Sequence, residues 1–329
     1  MNARVNTAVA LLFALGCGVA LPAAHAEEEK PLPAALVDAL NKLSGGPHAG
    51  YRANHAKGVM VTGTFTPSKA ARGISAAPHF LKAVPVTVRF SNATGVPVLP
   101  DADSNASPHG MAIRFALPDG SSTDIVSISA SSFPVATPED FLALLQAVAA
   151  SGPDAAKPSP IEKFLGAHPA ALKWVQTPRP APDSFGTLAF YGVNAFKFTN
   201  AKKQSAYIRY QIIPEAGEHA LAEGAKPAPN YLMDELPARV TKGPVNFKLV
   251  AQVANKGDNL TDPTVSWAAS NKVVELGTIS LTANIAHQAE AAKILYNPVS
   301  LPKGIEPSAD PVLAMRFPAY AVSFGNRAQ

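Results

Sequence analysis

The sequence predicts an α+β fold, an eight-stranded antiparallel β-barrel with helices around it. Eight runs of strand composition fall into two sets of four, which is a barrel count. Spacings within each set are short enough for hairpins, and the helical patterns lie between the sets or outside them. With 31 Pro and 22 Gly among 329 residues, the chain is punctuated too often to be a helical bundle.

Residues 1–26 read as a secretory signal. Arg4 is the only charge before an apolar run from Ala8 to Leu21, and Ala24-His25-Ala26 has the small-x-small pattern of a cleavage site. The run is too short for a spanning helix, and no later run reaches membrane-spanning length. The expected product is therefore periplasmic or secreted, with no stable membrane insertion, and residues 27–329 form one domain. Cys17, the single cysteine, leaves with the signal, and the preceding Ala14-Leu15-Gly16 fits a lipobox poorly. What remains has no thiol nucleophile, disulfide or cysteine metal site. The formal net charge of +4 falls by one, to +3, when Arg4 is removed, and the Lys and Arg residues are scattered, which argues against nucleic acid as a partner.

In chain order, PLPAALVDALNKL (Pro31 to Leu43) reads as a helix with Pro at its start, followed by a loop. Gly58 to Thr66 and Val84 to Phe90 have strand composition. In the second, Val84, Val86, Val88 and Phe90 share one face, while Thr87 and Arg89 share the other. His109 to Leu117 repeats the alternation with Met111, Ile113 and Phe115, and Asp124 to Ser129 closes the first set. Helical patterns follow at Pro138 to Ala150 and Pro160 to Val175. The second set comprises Ala189 to Thr199, Ser205 to Ile213, Asn246 to Val253 and Val273 to Leu281, with further helix candidates at Asn230 to Val240 and Ala286 to Tyr296.

The chemistry concentrates near the C-terminus. In RFPAYAVSFGNR, Tyr320 lies four residues after Arg316 and seven before Arg327. A phenolate is a rare axial ligand to haem iron, and a neighbouring guanidinium favours the charged form of a phenol. Alone, an Arg-Tyr pair at i, i+4 reads as a helix-surface contact. The preceding run, YNPVSLPKGIEPSADPVLAMR, changes this. It resembles the haem catalases, in which an aromatic-x-Pro segment and a Gly-Ile-x-x-Ser-x-Asp motif lead into Arg-x-x-x-Tyr; here those positions are Tyr296, Pro298, Gly304, Ile305, Ser308, Asp310, Arg316 and Tyr320.

Three other segments extend the resemblance. YRANHAKG is similar to the family's distal segment, with Arg52, His55, Ala56, Lys57 and Gly58 in matching places. VRFSNATG resembles its Val-Arg-Phe-Ser segment through Arg89 and Ser91. SPHGMAIRF resembles its Asp-Pro-Arg-Gly segment, with His109 in place of Arg. The resemblance covers most of Gly46 to Arg327 and implies a catalase-like barrel without the long N-terminal arm and C-terminal domain of large catalases, similar to the small catalase-related peroxidases of bacteria. It implies haem b with Tyr320 as the iron ligand and Arg316 keeping that ligand anionic. It also implies Arg52, Arg89 and Arg327 on the propionates, His55 as acid-base group, and Ser91 as the hydrogen-bond partner that fixes the His55 tautomer. Phe133 is a candidate pocket residue, although its position at a strand end also suits the core.

One departure separates this chain from catalases. Where they carry Gly-Asn-Asn, it has Ser127, Ile128 and Ser129, so the distal amide is missing; Asn54, in place of a usual Val, is a candidate substitute. The expected function is a haem peroxidase taking small-molecule peroxides, organic hydroperoxides ahead of hydrogen peroxide, and a one-electron donor. Little catalase activity and a monomeric or simple homo-oligomeric state are expected with it. The alternatives are a true catalase, a hydroperoxide-rearranging haem protein resembling allene oxide synthases, which retain a distal Asn, and an exported haem carrier. Dispersed histidines and the lack of a nucleophile-elbow motif favour neither a separate metal site nor a serine hydrolase.

Overall fold

The computed structural model describes residues 30–328, so the segment expected to be a signal, residues 1–26, lies outside the described residues. The elements in chain order are α1 Leu32–Leu43, β1 Gly58–Pro67, α2 Ala71–Ile74, β2 Val84–Ser91, β3 Gly110–Ala116 and β4 Ser122–Ile128. There follow α3 Pro138–Ala149, α4 Pro160–Ala167, α5 Pro169–Gln176, β5 Phe190–Tyr191, β6 Phe196–Thr199 and β7 Ser205–Pro214. The chain ends with α6 Tyr231–Lys242, β8 Val245–Val253, β9 Val273–Asn284, α7 Gln288–Ala291, β10 Ile305–Pro307 and α8 Pro311–Ala328. Among the described residues no helix is long and apolar enough to cross a membrane.

The barrel closes. Strands pair antiparallel in the ring β1-β2-β3-β4-β5-β7-β8-β9, and β9 returns to β1. The run expected as one strand from Ala189 to Thr199 is two pieces on the same edge of β7, where Phe190 faces Ile212 and Phe196 faces Ile208. The interruption at residues 192–195 carries Val193 and Asn194 out of the ladder and into the wall of a cavity. The short β10 adds to β6.

Two helix expectations need correction. Pro160 to Val175 is broken at His168 because Pro169 starts a new helix; proline lacks an N–H and disfavours helical backbone in the residue before it. Of Ala286 to Tyr296, only Gln288–Ala291 is α-helical. Downstream the backbone is claimed by distant partners: Arg52 donates to the Ile294 carbonyl (2.8 Å), Arg114 to the Leu295 carbonyl (2.6 Å), and the Asn297 N–H donates to Asp124 (2.7 Å).

The period-2 alternation sorts the strands cleanly. Val84, Val86, Val88 and Phe90 of β2 join Met111, Ile113 and Phe115 of β3 and equivalents from the other strands in one buried cluster. Phe65, Phe90, Phe115, Phe190 and Phe247 are fully buried there, so the barrel interior is solid core. The alternate positions of β2, β3 and β4 form two cross-strand rows on the outer face, Arg89-Ala112-Val126 and Ser91-Gly110-Ile128. All six line the same cavity. A second, smaller cluster joins Val135, Leu144 and Ala171, with Phe133 and Phe141 packed against it.

Candidate active site

The cavity, about 250 Å³, lies between these outer rows, α1, α8 and the loop that leads into β1. Helix α8 presents one stripe to it: Val312, Met315, Arg316, Ala319, Tyr320, Ser323 and Arg327 recur at helical spacing. Asp310 starts this helix, accepting from the backbone N–H groups of Val312 (2.9 Å) and Leu313 (3.3 Å). The i, i+4 pair is in contact. Arg316 donates to the Tyr320 oxygen from Nε (3.1 Å) and from Nη2 (2.9 Å), presenting that oxygen to the cavity as a twice-accepted acceptor. Arg316 is itself oriented from behind, with Nη1 donating to Asn194 Oδ1 (2.8 Å) while the Asn194 amide donates to Asp310 Oδ2 (2.7 Å). Asn194 and Asp310 are both buried. Burial pushes the Asp310 carboxyl up, opposed chiefly by the bond from Asn194.

His55 lines the cavity from the loop before β1. Its Nδ1 lies 3.1 Å from Ser91 Oγ, as the resemblance implies. Burial first, then the charges of Arg89, Arg52 and Arg316, push its pKa down to about 3, so the ring is neutral near pH 7. Its backbone is unusual for a residue with a Cβ, with φ of 57° in the left-handed region, a conformation costing on the order of 1–3 kcal/mol. Arg89 holds the turn: Nη2 donates to the carbonyls of His55 (2.9 Å) and Ala56 (3.1 Å). Two glycines clear the space. A Cβ on Gly110 would sit 2.8 Å from His55 Nδ1 and 2.9 Å from Ser91 Oγ, and one on Gly58 would sit 2.6 Å from Arg89 Nη2. Gly110 and Asn194 are residues that sequence reasoning left without a role. Each lies in a run of strand composition, Gly110 in His109 to Leu117 and Asn194 in Ala189 to Thr199, and neither residue type announces such work.

Arg52, Arg89 and Arg327 all line the cavity, and among the described residues none of them forms an ion pair with a carboxylate. Arg327 stacks over Phe324 and donates to the Ile294 carbonyl (3.3 Å), the oxygen that Arg52 also uses. The Arg52 guanidinium is pulled well below its ordinary range, first by burial, then by the charges of Arg89 and Arg327; burial also pulls down Arg89 and Arg327. An arginine keeps its proton under such conditions, so the shift registers a shortage of counter-charge. The remaining walls are largely apolar, with Val37, Leu40, Met111, Phe133 and Leu295 among them. The donor set thus suits a flat apolar dianion carrying a Lewis-acidic centre: cations for two carboxylates, an anion-forming oxygen for the centre, aliphatic walls for the ring.

The polar complement beside His55 is sparse. Ser127 lines the cavity but donates to the Met111 carbonyl (2.8 Å), and Ser129, which accepts from the His109 N–H (2.9 Å), is not among the lining residues. Ile128 fills the row beside Gly110. Asn54 lines the cavity with no bonded partner among the described residues. His109 is buried and bonded to Asn92 through Nδ1 (3.1 Å), in a network that runs on to Asp101 and its ion-pair partner Lys57.

A model of the Catalase family matches residues 48–328. The chain belongs to the catalase family. Similar relatives include a catalase-related peroxidase of Mycolicibacterium paratuberculosis (strain ATCC BAA-968 / K-10), 36% identical with 88% of this chain and 93% of that protein covered. Another is a catalase-related peroxidase of Synechococcus elongatus (strain ATCC 33912 / PCC 7942 / FACHB-805), 33% identical with 86% and 85% covered. The match to a catalase of Mus musculus is 26% identical and covers 82% of this chain but 54% of that one. Among solved structures, a bacterial catalase superposes with a TM-score of 0.75 at 21% identity over 85% of this chain and 58% of that one, so the barrel is the catalase barrel. The chain spans a little over half the length of these two catalases.

Proposed function

We propose that this chain is a haem-dependent peroxidase that reduces organic hydroperoxides, and hydrogen peroxide more weakly, with electrons from a one-electron donor, and that it has little catalase activity. The observation that carries the reading is the meeting in one cavity of an Arg316-bound Tyr320 oxygen, a Ser91-bound neutral His55 and three arginines without carboxylate partners. Tyr320 would ligate the iron of haem b through its phenolate, Arg52, Arg89 and Arg327 would pair with the propionates, and Phe133 would border the ring. When bound, haem supplies the redox-active iron through which electrons pass from donor to peroxide.

The chain itself moves the proton. With Nδ1 engaged by Ser91, the Nε2 of His55 takes a proton from one peroxide oxygen and returns it to the other, so that the O–O bond breaks with a neutral leaving group. One hydroperoxide and two donors, each giving one electron and one proton, yield one alcohol, one water and two donor radicals. A haem carrier has no use for an oriented acid-base group held on strained backbone. Dismutation requires a second peroxide to be held and oxidised, and the wall beside His55 offers Ile128 in the row where an amide would serve. Export from the cytoplasm belongs to the same proposal, and the N-terminal sequence of the exported protein tests it.

The deciding experiment is oxygen release from hydrogen peroxide by the haem-loaded chain, recorded with and without an aromatic donor. Rapid donor oxidation with little oxygen is the expected result. Vigorous oxygen release without donor would establish a catalase in which Asn54 or a serine covers for the missing amide, and neither signal would leave a haem carrier.

A further inference from the structure

Next to the main cavity lies a second chamber of about 180 Å³, and the two share Ala53 and Ser323 as a common wall. The Ala53 N–H donates to Ser323 Oγ (3.2 Å), tying the loop before β1 to α8 at that wall. The chamber sits at the arginine end of the cavity in chain terms: Arg52 follows its Tyr51, and Arg327 follows its Asn326. Helix α1 serves both spaces, with Val37 and Leu40 on the main cavity and Asn41 in the chamber.

Part of the chamber's polar lining is uncommitted. Asn41 is 9% exposed, yet its side-chain amide has no hydrogen-bond partner among the described residues. Its amide atoms keep some exposure, so they are open to a ligand in the chamber. His48 Nε2 donates to the Ser44 carbonyl (2.9 Å), which leaves Nδ1 as the acceptor of the neutral ring. Tyr51 is 48% exposed and supplies an aromatic face, and Pro47 a second apolar one. No carboxylate, lysine or arginine lines the chamber.

We infer that this chamber binds the reducing cosubstrate and that the cosubstrate is a small neutral phenol, its ring against Tyr51 and Pro47 and its hydroxyl between the Asn41 amide and His48 Nδ1. This rests on the peroxidase reading above. The absence of any cation in the lining favours a neutral donor over an anionic one, and the paired acceptor and amide match a single hydroxyl. Oxidation of a phenol by one electron releases its proton; His48 Nδ1 would accept that proton and pass it to solvent, and the electron would go to a haem held by Tyr320 and the arginines of the main cavity. Two phenols are consumed per peroxide, each leaving as a phenoxyl radical.

The test uses the haem-loaded full chain with 2-methoxyphenol as the probe. Binding is measured without peroxide by saturation-transfer NMR, and KM values for the phenol and for cumene hydroperoxide are measured separately. Asn41→Leu and the surface variant Tyr51→Ala are each expected to weaken phenol binding and raise its KM by about tenfold, the loss of one good contact, with the change confined to the phenol. Unchanged phenol binding and KM in both variants, while the wild type oxidises the phenol, would overturn the chamber assignment and leave the peroxidase reading standing. A wild type that consumes no donor would sink the peroxidase reading and this inference with it.

Discussion

A single methyl group at Gly110 tests the acid-base geometry. Gly110 pairs with Ser91 on one side and Ile128 on the other, so its backbone cannot retreat without breaking two ladders. A Cβ placed there meets His55 Nδ1 at 2.8 Å, Cε1 at 2.9 Å and Ser91 Oγ at 2.9 Å, closer than such atoms approach. The backbone of His55 is also fixed, because Arg89 holds its carbonyl. What yields is the imidazole, and its 3.1 Å bond to Ser91 is lost. Gly110→Ala should then cost about 1–3 kcal/mol of stability from overpacking and about 1 kcal/mol more from the hydrogen bond. Its larger effect falls on turnover. A well-placed acid-base group contributes about 10²–10⁴-fold, so displacement should lower kcat/KM for peroxide about a hundredfold, or about 2.7 kcal/mol of transition-state stabilisation. The assay is donor oxidation against peroxide concentration at matched haem content, run as a cycle with His55→Ala. In the His55→Ala background, where no imidazole remains to be displaced, adding Gly110→Ala should cost little more. Turnover of Gly110→Ala within threefold of wild type, or an undiminished hundredfold fall on top of His55→Ala, would refute the reasoning.

Other consequences can be measured directly. Ile128→Asn places an amide in the row beside Gly110 and Ser91, and oxygen release from hydrogen peroxide should rise at least about tenfold on an oxygen electrode, the gain of a polar contact made in the reacting complex; no rise would show that dismutation is limited elsewhere. Asn194→Leu strips Arg316 Nη1 and Asp310 of a shared partner and should cost about 2–3 kcal/mol in urea unfolding, together with a shifted haem absorption band; an unchanged band would mean that Arg316 keeps its aim without Asn194. Acid stability follows from three buried histidines, His55 and His79 held down to about 3 and His109 to about 4, against 6.5 when unfolded. Between pH 6.5 and about 4 the unfolded chain binds protons that the folded chain refuses, so stability present above pH 6.5 is lost as pH falls, by up to about 1.4 kcal/mol per pH unit for each histidine. Replacing His79, packed among Phe65, Phe80 and Phe115, by Phe should remove about a third of that slope in urea titrations between pH 7 and 5; an unchanged slope would place the acid sensitivity elsewhere.

The strands were readable because alternation is a local pattern. Val84, Val86, Val88 and Phe90 announce a buried face by themselves, and the sequence segments around Arg52, His55, Ser91, Arg316 and Tyr320 carry their spacing with them. Residues whose state is set by distant partners were not readable. Ala286 to Tyr296 has helical composition, but the carbonyls of Ile294 and Leu295 are worth more to Arg52 and Arg114 than to a helix turn. Asn194 reads as one more residue of a strand, and only the gap between β5 and β6 turns it toward Arg316. Gly110 passes for one more strand residue until the imidazole is seen where its side chain would be. The left-handed backbone of His55 leaves no trace in composition, since Arg89, 34 positions away, is what holds it.

The cavity's position on the outside of the barrel divides the protein's tolerance to change along every second residue. Inward positions of β2, β3 and β4 answer to a core packed with phenylalanine, while their outward neighbours Ala112, Val126 and Ile128 answer to the cavity they line. These three positions can be rewritten for a new substrate without touching the inward residues of the same strands, because they stand on the opposite face. A combinatorial library confined to those three outward positions would therefore sample peroxide selectivity among molecules that remain foldable, a separation that a site buried inside a barrel does not offer.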